Sequence, residues 1–168
     1  MIKNILIVGH KGYIGTILTE YLIKKLKKKI NVIGIDFNLF SLNNYSINNN
    51  NLKKDYKKDC RQLRLKNLKF IPDVIIYLAA VSNDPMGNEF KEATKEINFL
   101  NCVKFANEAK KLGVKKFVFA SSCSMYGASG NTMKKENDNL SPLTDYARSK
   151  VNAEKKLKSL SSKNFRVI

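Results

Sequence analysis

The sequence is short of cysteine, of acidic side chains and of long apolar runs, and each shortage closes off a class of function. Its three cysteines, Cys60, Cys102 and Cys123, are odd in number, far apart and in no Cys-x-x-Cys pair. That pattern builds neither a disulfide framework nor a cysteine zinc site; it reads as reduced thiols in a cytoplasm, and no metal is expected. The longest apolar run, Val74 to Val81, is too short to cross a bilayer, and the N-terminal apolar stretch breaks at a glycine turn. The expectation is a soluble chain with no signal peptide and no membrane partner. Only 14 Asp and Glu stand against 31 Lys and Arg, for a net charge of +17. Such an excess invites a nucleic-acid reading. Its densest runs, Lys24-Lys25 with Lys27 to Lys29 and Lys53-Lys54 with Lys57-Lys58, fall at a helix end and in a polar connection. Lysines there are solvated or complement a helix dipole, so no nucleic-acid partner is expected, although the charge would favour anionic nucleotide substrates.

With 43% hydrophobic side chains in 168 residues, the chain can bury one core, and its length suits a single domain. Strand-like and helical runs alternate. The pattern predicts strands over Ile2 to Val8, Ile30 to Asp36, a short stretch before Asp59, Val74 to Ala80 and Lys116 to Ser121. It predicts a helix from Gly12 to Lys29, with Tyr13, Ile17, Leu18, Tyr21, Leu22 and Leu26 near one face. A long helix from about Asn88 to Leu112 stops at Gly113, and another runs from Thr144 or Asp145 to about Leu160. The asparagine-rich stretch Phe37 to Leu52 reads as a loop, and no internal repeat is visible. The order implies the α/β class: a doubly wound parallel sheet of Rossmann type, helices on both faces, right-handed crossovers. Phe165 to Ile168 reads as a sixth strand just starting, so residues 1–168 are expected to be one incomplete domain of a longer polypeptide.

Between the first strand and first helix lies Gly9-His10-Lys11-Gly12-Tyr13-Ile14-Gly15. Glycine allows a sharp turn and close approach of a ligand to the backbone, and the helix start offers unpaired N–H groups to an anion. The spacing is Gly-x-x-Gly-x-x-Gly, not Gly-x-Gly-x-x-Gly, so on its own it fits a phosphate cradle or a structural turn. Asp36 ends the second strand where a dinucleotide fold places a carboxylate on the adenosine ribose, and a carboxylate there repels a 2′-phosphate. No Arg or Lys follows it directly, which favours NAD over NADP. Tyr146 and Lys150 stand four residues apart on one helix face, a spacing that also occurs at Tyr21 and Lys25. Tyr21 is assigned to packing, whereas Tyr146 follows the fifth strand and its serine-rich loop, beyond the strand ends where doubly wound sheets bind ligands. Ser122 in that loop can donate to a substrate oxygen while a tyrosine, its phenolate favoured by the neighbouring ammonium, takes a proton.

These residues resemble the extended short-chain dehydrogenase/reductase family, in particular its NAD-dependent nucleotide-sugar epimerases and dehydratases, over nearly the whole chain. Gly9, Gly12, Tyr13, Ile14 and Gly15 look like that family's own glycine spacing, and Asp36 like its ribose-binding acid. Asp59-Cys60 is similar to its adenine-contacting pair. Leu78-Ala79-Ala80 is similar to its cofactor-lining segment, with Tyr77 where histidine is usual. Asn98 resembles an asparagine that shapes the site; Ser122, Tyr146 and Lys150 resemble the catalytic trio, the last two also touching the cofactor.

The resemblance implies NAD as cofactor, a nucleotide-sugar substrate and a homodimer of the full-length protein. It implies hydride transfer at a sugar carbinol, with Tyr146 taking the hydroxyl proton, Ser122 bonding the same oxygen and Lys150 binding the nicotinamide ribose. Dehydratases of the family carry an Asp-Glu pair after the catalytic serine or threonine, where this chain has Cys123-Ser124. The expectation is therefore a C4 epimerase, ahead of a keto-sugar reductase or dehydrogenase and of a 4,6-dehydratase. From another class, a dinucleotide-sensing or nucleic-acid-binding module without catalysis is disfavoured by the retained trio. In this family the substrate-binding portion lies largely in the C-terminal third, so residues 1–168 alone are expected to bind cofactor weakly and not to turn over.

Overall fold

The computed structural model describes residues 2–26, 29–39, 52–128 and 133–168. Residues 40–51, most of the asparagine-rich stretch expected as a loop, lie outside them. Six parallel strands form one sheet: β1 (Asn4–Val8), β2 (Asn31–Asp36), β3 (Lys54–Lys57), β4 (Val74–Tyr77), β5 (Lys116–Phe119) and β6 (Arg166–Val167). Their order is β3-β2-β1-β4-β5-β6. β1, β2 and β4 are nearly continuous in Ile, Val and Leu because both sheet faces are covered, which is why they do not alternate with polar residues. Side chains still alternate between faces. Ile5, Ile7, Val32 and Val74 pack with Leu22, Ile23 and Leu26 of α1 (Tyr13–Leu26). Leu6, Val8, Ile33, Ile35, Ile75 and Tyr77 point the other way. There they meet Phe105, Ala106 and Ala109 of α4 (Cys102–Lys111) and Leu157 of α5 (Asp145–Leu160).

This is the doubly wound Rossmann sheet. Strand order reverses between β1 and β4, and the crevice beyond their carboxyl ends is where such sheets bind ligands. Among the described residues no helix is long and apolar enough to cross a membrane.

Two expectations are corrected. Tyr13, Ile17 and Tyr21 are exposed, and Tyr21, assigned to packing, is 58% exposed. The stripe of α1 that meets the sheet runs instead through Gly15, Thr19, Leu22, Ile23 and Leu26, because small residues at its start let the helix lie close to the strands. The long helix expected from Asn88 is likewise divided. A short α2 (Asp84–Glu89) starts earlier, capped by the Asn83 side chain, which accepts from Met86 N, with proline in its first turn. Phe90 breaks the run; α3 (Lys91–Thr94) then leads into a π-helical segment, Lys95–Asn101, which continues as α4. Apolar periodicity does not register one inserted residue per turn, so the π segment is invisible to it.

Candidate active site

β1 is followed at once by Gly9, whose φ of +87° only glycine adopts without strain. Its N–H donates to Ile35 O at 2.8 Å, and a Cβ there would lie 2.7 Å from Ala79 N. Gly9 is thus pinned between the ends of β2 and β4. Gly12 differs: a methyl there would meet nothing nearer than Gly9 O at 3.5 Å, which leaves the backbone open to a ligand. Gly15 is buried at the start of α1, while Tyr13 and Ile14 are exposed around the turn. Asp36, at the end of β2, has Oδ2 accepting from Lys11 N at 2.9 Å and Oδ1 from Asn38 N at 2.7 Å. Two backbone donors therefore fix the carboxylate against the glycine turn, and each oxygen keeps a lone pair for a hydroxyl.

Sequence reading passed over His10. Its ring is fully buried and lies over Gly34, where a Cβ would come within 2.5 Å of it. Burial pushes the His10 pKa below its ordinary value. Its Nε2 is 3.3 Å from Asp55 Oδ1, and Lys11 Nζ pairs with Asp55 Oδ2 at 2.7 Å.

Beyond β4, the Leu78 and Ala79 amides both donate to Val8 O, at 2.8 and 2.9 Å, so Leu78, Ala79 and Ala80 leave the sheet directly beside the glycine turn. Tyr77 is a core residue. Its hydroxyl donates to Ile97 O at 3.0 Å and accepts from Asn101 Nδ2 at 3.1 Å, tying β4 to the π segment. A π turn leaves carbonyls without their usual i+4 partner, and the phenol supplies one. Asn98, one residue on, is fully buried: Oδ1 accepts from Val81 N at 2.8 Å, and Nδ2 donates to Val81 O at 3.0 Å and to Ser149 Oγ at 3.2 Å. It holds the loop after β4, with both its amide hydrogens and its oxygen engaged by protein partners. Past β3, Asp59 is committed to Arg61 through contacts of 2.6 to 3.1 Å, which hold its carboxyl below the usual range, and Arg61 reaches Glu96 at 2.8 Å. The Cys60 thiol is buried 3.7 Å from the Tyr77 hydroxyl, which turns this side chain into the core.

At the end of β5, Ser122 caps a single 3-10 turn, Cys123–Tyr126, accepting from Ser124 N at 3.2 Å and donating to Ser124 Oγ at 3.0 Å. That turn packs against α5. Thr144 caps α5, accepting from Ala147 N at 3.1 Å and donating to Asp84 Oδ1 of α2 at 2.5 Å. Gly87 of α2 lies against Tyr146, where a Cβ would stand 2.7 Å from the Tyr146 Cβ. One turn on, Lys150 is 4% exposed; Nζ donates to Ala120 O at 2.8 Å and lies 4.8 Å from the Phe119 ring centre and 5.6 Å from that of Tyr146. Burial pulls its pKa down to about 8. The fold thus gathers the glycine turn, Asp36, the β4 exit, Ser122, Tyr146 and Lys150 at the strand carboxyl ends, while Asp59, Cys60 and Asn98 engage protein partners around them.

A model of the NAD dependent epimerase/dehydratase family matches residues 5–168. The chain belongs to this family. Among epimerase/dehydratase relatives, a Bacillus subtilis protein described as an uncharacterized UDP-glucose epimerase, YtcB, is 35% identical over 90% of this chain and 50% of its own length. The UDP-glucose 4-epimerase of Vibrio cholerae is 30% identical over 95% of this chain and 48% of its own. Among solved structures, a UDP-N-acetylglucosamine 4-epimerase from Methanobrevibacter ruminantium M1 superposes with a TM-score of 0.82 at 29% identity, covering 98% of this chain and 53% of that one. The chain spans about half the length of the curated relatives it matches.

The epimerase/dehydratase family is NAD-dependent, and this chain's residues fit that cofactor: an uncovered backbone at Gly12 just before α1, and a carboxylate fixed at the end of β2. His10, Arg61, Gly87, Ser124 and Ser149 are residues around the site that sequence reasoning missed. Only the small size of Ser149 within a helical stretch offered a signal.

Proposed function

We propose that the protein is an NAD-dependent nucleotide-sugar epimerase acting at C4 through a transient keto sugar, with residues 1–168 as its NAD-binding domain. The observation that carries the reading is the seat of Lys150, a buried ammonium held between the end of β5 and the Tyr146 ring. The 4-epimerases among the relatives support the choice of carbon. Gly9, Gly12, Tyr13, Ile14 and Gly15 would hold the pyrophosphate, and Asp36 the adenosine ribose hydroxyls. The backbones of Asp59 and Cys60, with Leu78 to Ala80, would line the rest, and Asn98 would hold that lining in place. NAD, when bound, supplies the hydride acceptor and donor at the sugar carbon.

The protein's own part is proton handling and orientation. Tyr146, as the phenolate, takes the proton of the sugar hydroxyl to become the phenol and returns it when the keto sugar is reduced, while the Ser122 hydroxyl, turned away from Ser124, donates to the same oxygen. Lys150 places positive charge where negative charge develops and bonds the nicotinamide ribose. Removal of water needs a further acid and base, and Cys123 and Ser124 supply no carboxyl group, which sets the dehydratase reading below the epimerase. The full-length protein is expected to be a cytoplasmic homodimer.

The test is to denature purified full-length protein, analyse the released dinucleotide, and follow UDP-glucose with the native protein by NMR. Release of NAD and appearance of the C4 epimer are expected. No dinucleotide, or a 4-keto-6-deoxy product, would refute the reading.

A further inference from the structure

Sequence reading found no cation directly after Asp36, but the fold brings one from the glycine turn. Lys11 donates its N–H to Asp36 Oδ2 at 2.9 Å, so its side chain starts beside the carboxylate expected to meet the adenosine ribose. That side chain is 14% exposed, and its ammonium lies 2.7 Å from Asp55 Oδ2. Asp55 belongs to β3, in register with Gly34, two residues before Asp36 on the neighbouring strand. Its other oxygen stands 3.3 Å from the buried His10 Nε2, and the absence of a side chain at Gly34 makes room for that ring. The carboxylate of Asp55 is therefore backed by His10 and fronted by Lys11. A free cation at this end of a dinucleotide site would attract a 2′-phosphate; an ammonium already paired with a carboxylate does so far less.

We propose that Asp55 is a cofactor-discriminating residue: it sequesters Lys11 and so denies a 2′-phosphate its cation, which makes the site select NAD over NADP. Asp55 acts through Lys11 and touches no cofactor itself, and the assignment rests on the glycine turn being the dinucleotide cradle. Lys57, exposed and in register with Asp36, adds the same background charge to every variant.

Calorimetric titration of NAD⁺ and NADP⁺ into the full-length protein at low salt tests this, using wild type, Asp55→Asn and the double variant Asp55→Asn with Lys11→Met. Asp55→Asn is expected to raise NADP⁺ affinity relative to NAD⁺ at least tenfold, a gain that shrinks in high salt. The double variant, which restores the net charge, is expected to return the ratio to within about twofold of wild type. An unchanged ratio in Asp55→Asn, or a gain that survives loss of Lys11, would overturn the assignment. Asp55→Ser serves the same comparison if the asparagine variant does not fold. A wild type that prefers NADP⁺ overturns the role of Asp55 alone; one that binds neither dinucleotide overturns the cradle and this assignment together.

Discussion

Replacing Lys150 with methionine is expected to make the fold more stable at neutral pH while removing a group the proposed chemistry needs. Burial holds the Lys150 pKa at about 8, against an ordinary 10.5. At about 1.4 kcal/mol per pH decade, that gap is a penalty on the order of 3 kcal/mol on the folded state below pH 8. As pH rises the folded chain sheds this proton first, near 8, and the unfolded chain keeps it to about 10.5. Unfolding takes up a proton between those limits, so the contribution to stability climbs across that window and the penalty is gone above it. Methionine keeps the apolar stem but leaves Ala120 O without its 2.8 Å donor and removes two ring contacts, together about 1 to 3 kcal/mol in the opposite direction. The net gain at pH 7 is therefore modest, about 1 kcal/mol. The decisive quantity is the pH dependence. Urea unfolding followed by circular dichroism should show the difference between the two proteins changing by about 3 kcal/mol from neutral pH to about 10.5, and turning against the variant at the top. Surface lysines titrate alike in both proteins and cancel. Curves that run parallel within about 0.5 kcal/mol would refute the reasoning, because they would mean that Lys150 is not desolvated.

Three further outcomes follow from close contacts. Gly34→Ala puts a methyl 2.5 Å from the His10 ring and should destabilise by about 1 to 3 kcal/mol in thermal unfolding; adding His10→Ala should recover at least about 1 kcal/mol, and strict additivity would count against the contact. Gly87→Ala should push α2 off Tyr146, lowering stability by about 1 to 3 kcal/mol, while Gly113→Ala, with nothing within 4 Å but a φ of +81°, should cost less than that, about 1 kcal/mol. Tyr77→Phe removes the hydroxyl that serves Ile97 O and Asn101 and should cost about 1 to 3 kcal/mol; amide exchange should rise first in residues 95–101, and uniform exchange would refute the link to the π segment.

The central strands β1, β2 and β4 were legible because they are buried on both faces and so appear as nearly unbroken runs of Ile, Val and Leu, as in Ile5 to Val8 and Val74 to Ile76. The glycine turn, Asp36 and the Tyr146/Lys150 pair were legible because their spacing is local, fixed by one turn, one strand length or one helical turn. Local spacing, however, reports only what lies on the same element. It could not show that the tyrosines of α1 face outward, since that depends on where small residues let the helix approach the sheet. Nor could it show that Tyr77 supports a π turn twenty residues away, that Arg61 occupies Asp59, or that α2 seats the start of α5 through Gly87. By itself the sequence determined the order of the strands and main helices, the glycine turn between the first strand and first helix, and the residue types proposed for the two ends of a dinucleotide. Only the tertiary structure decided how those residues are charged and held: it buries the Lys150 ammonium against a carbonyl, and it seats the ammonium of Lys11, one residue from the backbone opening, on Asp55. Burial and ion pairing are set by what other strands bring alongside, and no stretch of the chain carries that information alone.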